Sequence, residues 1–298
     1  MFNNQRLLSR RDMLRNAAGL AVLGSMTTGS RLFAADDFSG YTVGIQSYTF
    51  RNFKLEQAVK KIAEVGVHYA ELYNGHVPLK STPEQIKSVL SLCKDNGVTP
   101  IAFGVEGFGK NHDENKKKFE FGAALGIKHM SADPQPDAFD SLDKLVAEYK
   151  ISIAIHPHGP SGGKGRHRWW NAETILEAVK DHHELIGTCL DTGHLIRMAQ
   201  LGEKIDPAQQ IKVMGKRNFG LHLKDHNNEK HTDVIYGKDG GVLDVTSVLK
   251  ALNDVNFAGY ISIEYEAKPA EPTADVKEQV EIIKDLAKKT PRATSDKK

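Results

Sequence analysis

From Tyr41 onward, short runs rich in β-branched residues give way to longer stretches of helical periodicity, and this alternation occurs eight times. It is the feature that most constrains the fold. A strand that pairs with a parallel neighbour needs a crossover long enough to hold a helix, so the pattern reads as consecutive parallel βα units. The strand candidates are residues 42–47, 69–72, 99–104, 129–132, 152–156, 187–191, 220–224 and 260–264. Helix candidates between them are 55–64, 83–95, 113–125, 137–149, 172–182, 207–214 and 245–253, with 274–288 closing the ring. Ser81-Thr82-Pro83-Glu84 and Asp206-Pro207 carry helix-start signals, while Val65-Gly66 and Leu125-Gly126 carry stops. Eight units in about 250 residues match an α/β fold of the (β/α)8 TIM-barrel type. The expected organisation is one barrel domain over 41–289 and an unstructured tail over 290–298.

In such a barrel the chemistry sits at the C-terminal ends of the strands. Polar residues gather there in this sequence. The second strand runs out through Glu71-Leu72-Tyr73-Asn74-Gly75-His76 and the fifth through His156-Pro157-His158-Gly159. The sixth ends Asp191-Thr192-Gly193-His194, the seventh His222-Leu223-Lys224-Asp225-His226 and the eighth Glu264-Tyr265-Glu266. A lone His or Asp at a strand end usually caps a loop. Imidazoles and carboxylates on four consecutive strands instead converge once the barrel closes, and His156, Asp191, His222 and Glu264 are therefore expected to bind a divalent metal. Two imidazoles in the set favour Mn, Co, Zn or Fe over Mg.

Asp191-Thr192-Gly193-His194, His222-Leu223-Lys224-Asp225 and Ile263-Glu264 resemble the sixth, seventh and eighth strand signatures of the xylose-isomerase-like barrel superfamily. That group contains sugar isomerases and epimerases, inosose dehydratases and endonuclease IV. The resemblance extends from Thr42 to Lys288. It implies that Asp191, His222 and Glu264 are metal ligands and that His194 and Lys224 face the substrate or support the ligands. One position departs from the pattern. Many ketose epimerases of the group end the fifth strand with Glu-Asn-His-Gly, so His156 stands where they place a ligand glutamate. The change keeps a ligand but removes a carboxylate base, which disfavours a symmetrical two-glutamate epimerisation. The His-x-His-x-Gly pattern looks closer to inosose dehydratases and to lyases of 3-keto-glycosides. The expected chemistry is removal of a proton next to a carbonyl polarised by the metal, with Glu264, His158 or Glu71 as proton-transfer groups and Lys224 stabilising the enolate. For Glu71 the bland alternative is a salt bridge within the barrel.

The long segment from Gly159 to Trp170 is rich in glycine. Arg166, Trp169 and Trp170 are its candidate sugar contacts, the tryptophans by stacking, and the competing expectation is that one of the two packs the loop onto the rim. Gly237-Lys238-Asp239-Gly240-Gly241 is the only candidate phosphate turn, and a weak one.

Residues 1–34 read as an export signal. Ser9-Arg10-Arg11-Asp12 precedes a mildly apolar stretch and then Leu32-Phe33-Ala34-Ala35, an order that resembles a twin-arginine signal and implies a periplasmic location. Five arginines against Asp12 in this segment account for more than the formal +2 of the whole chain, leaving about −2 for the remainder. A nucleic-acid partner would need a basic surface, and no run after the signal is apolar enough to span a membrane. The expected partner is a small sugar or keto-sugar, with association into a homo-oligomer left open. Cys93 and Cys189 are expected to be buried thiols. Two rival functions remain at this point, a non-catalytic sugar-binding barrel and an endonuclease-IV-like enzyme.

Overall fold

A computed structural model describes residues 38–160 and 165–293. The chain divides into residues 1–35 and 36–298, and the expected export signal lies outside the described residues. The second unit is a closed parallel barrel in the strand order β1-β10-β7-β6-β5-β4-β3-β2. Its strands are β1 (Thr42–Gln46), β2 (Tyr69–Leu72), β3 (Thr99–Phe108), β4 (His129–Pro134), β5 (Ser152–Ile155), β6 (Ile186–Asp191), β7 (Asn218–Leu223) and β10 (Tyr260–Ile263). An antiparallel hairpin of β8 (Asp225–Asn227) and β9 (Thr232–Val234) follows β7.

The helices are α1 (Leu55–Glu64), α2 (Pro83–Asp95), α3 (His112–Leu125), α4 (Phe139–Tyr149), α5 (Ala172–Val179), α6 (Thr192–Arg197), α7 (Pro207–Met214), α8 (Val245–Asp254) and α9 (Thr273–Lys289). Local chemistry explains their ends. Thr82 and Gln85 form a reciprocal capping box at α2 with Pro83 in the first turn, and Asp206 caps α7 ahead of Pro207. Gly126 closes α3 in the left-handed conformation that glycine adopts without strain.

Inside the barrel, side chains two apart on a strand share a face. Ala154 and His156 therefore stack along one line, as do Cys189 and Asp191, Gly220 and His222, and Tyr260, Ser262 and Glu264. The lower layer is apolar and tight: Ala102, Ala154, Cys189 and Tyr260 form their own buried cluster. A Cβ at Gly220 would lie 2.7 Å from the Tyr260 ring, so the glycine is what lets that ring fill the barrel. One step up, Ala154 gives way to His156, Cys189 to Asp191 and Gly220 to His222, and on β10 Glu264 follows two steps above Tyr260.

Two expectations change. The first is that α5 stops at Val179, before residue 182. The second is that the tail does not begin as free chain at 290, since the Arg292 amide donates to Ser39 O at 3.0 Å and the Ala293 amide to Asn253 Oδ1 at 3.1 Å. In the glycine turn after β9, the weak phosphate candidate, the amides of Gly237, Val242 and Leu243 donate to the buried Asp225 carboxylate at 2.9 to 3.2 Å. Both cysteines are buried free thiols, in α2 and β6.

Candidate functional site

β7 carries His222 to the barrel axis, where it is fully buried between the other ionisable groups. Its Nδ1 lies 3.1 Å from Glu264 Oε2, 3.7 Å from Asp191 Oδ2 and 3.1 Å from His156 Nε2, and His156 Nε2 is 3.4 Å from Asp191 Oδ2. The four residues expected to bind metal thus present four buried atoms to one point, all within 4.8 Å of one another.

Each is positioned by its local structure. Asp191 ends β6 and caps α6, so Oδ1 accepts from the His194 amide at 2.7 Å while Oδ2 turns into the cluster and finds no hydrogen-bond partner. His222 donates through Nε2 to Glu71 Oε2 at 2.8 Å, which leaves Nδ1 facing the cluster. Glu71 in turn accepts from Ser262 Oγ at 2.8 Å and from Ser131 Oγ. A carboxylate behind an imidazole in this way fixes its tautomer and orientation.

Lys224 is buried beside them, with Nζ 3.3 Å from Asp191 Oδ2, 2.9 Å from Glu264 Oε2 and 2.6 Å from Glu266 Oε1. Its stem passes over Gly193, where a Cβ would come within 2.7 Å of it. Thr192 Oγ1 pins the strand end by donating to Lys224 O at 2.7 Å and accepting from its amide at 2.9 Å.

The electrostatics follow from burial and neighbours. Burial would raise the Asp191 and Glu264 carboxyls, but Lys224 together with the imidazoles around them outweighs it and holds both well below the usual range. Burial would lower His222, yet Cys189, Glu71 and Glu264 keep it well above its ordinary value. Asp191, Glu264 and Glu266 hold Lys224 cationic against its own desolvation. Glu71, Asp191, Glu264 and Glu266 are four carboxylates beside two cations, Lys224 and a His222 held toward its charged form, so the cluster has an excess of acid that a further positive charge can balance.

The donor set fits a divalent metal on two counts. Ligand distances of about 2.0–2.2 Å place neighbouring ligand atoms roughly 3.0–3.5 Å apart, close to the spacings here. Asp191 Oδ2 is aimed into the cluster without a hydrogen bond of its own, beside the Lys224 ammonium at 3.3 Å.

A cavity of about 350 Å3 opens above the cluster. His156 and Glu264 form its floor, and Tyr48, Tyr73, His158, His194, Arg197 and Glu266 stand in its walls. Burial, together with the neighbouring His156 and His167, lowers His158 to about 3, so its ring is neutral near pH 7. His194 is likewise held well below its ordinary value, chiefly by burial. Its Nδ1 accepts from the Gly159 amide at 3.1 Å.

Four expected site residues lie elsewhere. Glu71 is fully buried behind His222 and is not among the residues that line the cavity. Trp169 is buried against Phe139, with its indole donating to Pro134 O at 2.9 Å, so it packs the loop onto the rim. Arg166 lies 4.7 Å over the Trp170 ring and pairs with Glu203, and neither of the two lines the cavity. The aromatic wall is instead Tyr48 and Tyr73, edge to face at 5.3 Å. Both lie just past strands β1 and β2, so the strand-end rule that found the buried cluster also reaches them; Arg197, at the end of α6, carried no such signal.

No curated protein matches this chain. Solved structures do. An uncharacterized protein from Parabacteroides distasonis ATCC 8503 superposes with a TM-score of 0.63 at 26% identity, over 82% of this chain and 98% of its own. A D-psicose 3-epimerase determined in the presence of D-fructose gives 0.64 at 14% identity, over 85% and 100%. The 3-keto-D-glucoside 4-epimerase of E. coli, in its apo form, gives 0.61 at 15% identity, over 82% and 99%. Residues 59–286 match the family described as xylose isomerase-like TIM barrel, and the chain belongs to that family.

Proposed function

We propose that this protein is a divalent-metal-dependent sugar isomerase, epimerase or lyase that removes a proton next to a carbonyl. The observation that carries the reading is the convergence of His156 Nε2, Asp191 Oδ2, His222 Nδ1 and Glu264 Oε2 at the floor of a cavity of about 350 Å3. When bound, a divalent cation supplies stabilisation for the negative charge that develops on a carbonyl oxygen.

The chain's own groups do the rest. Glu264 stays ionised beside Lys224, and His158 stays neutral, so both meet a substrate as proton acceptors. Lys224 keeps its charge and adds a fixed cation next to the developing oxyanion. Tyr48 and Tyr73 offer an apolar wall to the C–H face of a sugar. With His156 in place of a carboxylate and Glu71 turned away, the acids and bases are unequal on the two sides of the cavity. That asymmetry favours elimination or a one-sided proton transfer over a symmetrical two-carboxylate epimerisation. The similar E. coli structure is named for a keto-glucoside reaction and the other for a ketohexose, and both agree with a sugar substrate. Residues 1–34 are proposed to export the chain, which puts free sugars and glycosides within its reach.

The test is elemental analysis of the purified chain together with a screen of ketoses, inososes and 3-keto-glycosides for epimerised or eliminated products. About one Mn, Co, Zn or Fe per chain, lost on His222→Ala, with turnover of a keto-sugar, is the expected result. A chain that takes up no metal and turns over none of these compounds overturns the proposal, and sugar binding without turnover replaces it with a binding protein.

A further inference from the structure

At the N-terminal ends of the strands, opposite the acidic cluster, lies a cavity of about 490 Å3. Strands β4, β5 and β7 begin in its wall, at His129, Ser152 and Asn218. The lining has two parts. Leu185, Phe219 and Val255, all half-buried, give it an apolar face, while Lys128, Lys150 and Lys216 are exposed and stand in the same wall. No carboxylate lines this cavity, whereas Glu264 and Glu266 line the one above the acidic cluster. Among the described residues, none of the three lysines forms an ion pair or a hydrogen bond through its ammonium. Each follows the C-terminal end of a helix, α3, α4 or α7, whose partial charge of roughly minus one half offsets only part of a full cation. Lys150 adds a second observation. It closes α4 at φ 56° and ψ 31°, the left-handed conformation that Gly126 takes at the end of α3. A Cβ makes that conformation unfavourable, so glycine would end α4 at less cost and the backbone gives no reason for a lysine.

We infer that this cavity binds a small phosphate monoester with an apolar body, the phosphate meeting Lys128, Lys150 and Lys216 and the body lying on Leu185, Phe219 and Val255. Three like charges around a partly apolar hollow raise a positive potential that an anion lowers. Lysine ammonium groups suit phosphate as point charges. A monoester carries about 1.5 to 2 negative charges at pH 7, which matches three cations partly offset by helix ends. The volume is that of an ordinary small-molecule site. Because the cavity lies at the opposite end of the barrel from His222 and Glu264, the inference stands or falls independently of the proposed function.

Isothermal titration of the full chain with phenyl phosphate, inorganic phosphate and phenol tests this. Phenyl phosphate is expected to bind about tenfold or more tightly than either fragment. Lys150→Gly relieves the left-handed backbone, so it should hold or raise the melting temperature and yet weaken phenyl phosphate about fivefold, the worth of one contact between unit charges in water. Lys216→Gln should weaken it by a similar factor. The affinity is expected to survive removal of metal by a chelator, which separates this site from phosphate held by a metal at the opposite mouth. Absence of phenyl phosphate binding, no advantage over the two fragments, affinities unmoved by both lysine substitutions, or binding lost together with the metal would each overturn the site.

Discussion

Each end of the barrel holds a histidine, fully buried at His222 and half-buried at His129, and the two are treated in opposite ways. At the C-terminal mouth His222 lies among Glu71, Asp191 and Glu264, and the carboxylates hold it well above its ordinary value. At the N-terminal end His129 packs against Tyr260 and Phe219, with ring centroids 5.3 and 6.4 Å away, and desolvation lowers it to about 4. The same side chain is pushed toward its charged form where charge is gathered and toward its neutral form where apolar packing dominates. The mouth therefore concentrates charge that packing alone does not need, which is how a site for chemistry differs from a core.

The largest effect is expected at the mouth. Glu264→Gln removes a proton acceptor, a ligand carboxylate and a partner of Lys224 together, and should lower turnover by about 10²–10⁴ while the barrel stays folded. Steady-state rates and a thermal melt check it. A wild-type rate would remove Glu264 from the chemistry and erase the functional contrast between the two ends.

At the other end the comparison is sharpened by pH. His129 has a folded pKa of about 4, below its unfolded value of about 6.5. Between those values the unfolded chain binds a proton that the folded chain refuses, so stability falls as pH drops from 6.5 toward 4 and this contribution levels off below. The loss is on the order of 3 kcal/mol at most. His129→Gln should flatten this part of the profile in denaturant titrations across the window, and parallel profiles for the two proteins would place His129 outside the apolar end.

The eight-unit alternation and the convergence of His156, Asp191, His222 and Glu264 were legible because each rests on a strong local regularity, strand period two and polar strand ends. The depth of a residue along its strand was not. Glu71 reads like a mouth residue, but it pairs with Ala102 on β3 and Gln46 on β1, and that register sets it behind His222 among Ser131 and Ser262. The hairpin of β8 and β9 escaped for another reason. Asp225-His226-Asn227 and Thr232-Asp233-Val234 are too short and polar to show alternation, and they are held by the Asp225 carboxylate gathering distant amides. Which of Trp169 and Trp170 packs could not be read, because an aromatic pair on a loop has the same composition whether it packs or binds; the structure packs Trp169.

Smaller effects probe what surrounds the ligands. Glu71→Gln keeps the shape but weakens the acceptor behind His222 Nε2, and a carboxylate in that position typically sets metal affinity within 10–100-fold. A loss of that size, read by competition with a chelator and with only a modest drop in saturated turnover, supports an orienting role; a collapse of turnover at full metal occupancy would restore Glu71 as a proton-transfer group.

The smallest effect is expected at the rim. Trp170 meets Arg166 at 4.7 Å and is not among the residues that line the cavity, whereas Tyr73 stands in its wall. A partly exposed cation–π pair is worth about 0.5–1 kcal/mol, so Trp170→Ala should lower stability by about that much and leave KM within about twofold. Tyr73→Ala should raise KM more than Trp170→Ala does, because it strips an apolar face from the sugar side of the cavity. Measuring both on one substrate separates packing from recognition. If Trp170→Ala raises KM as strongly as Tyr73→Ala, the loop closes over the substrate during turnover, and the mouth extends past the walls described here.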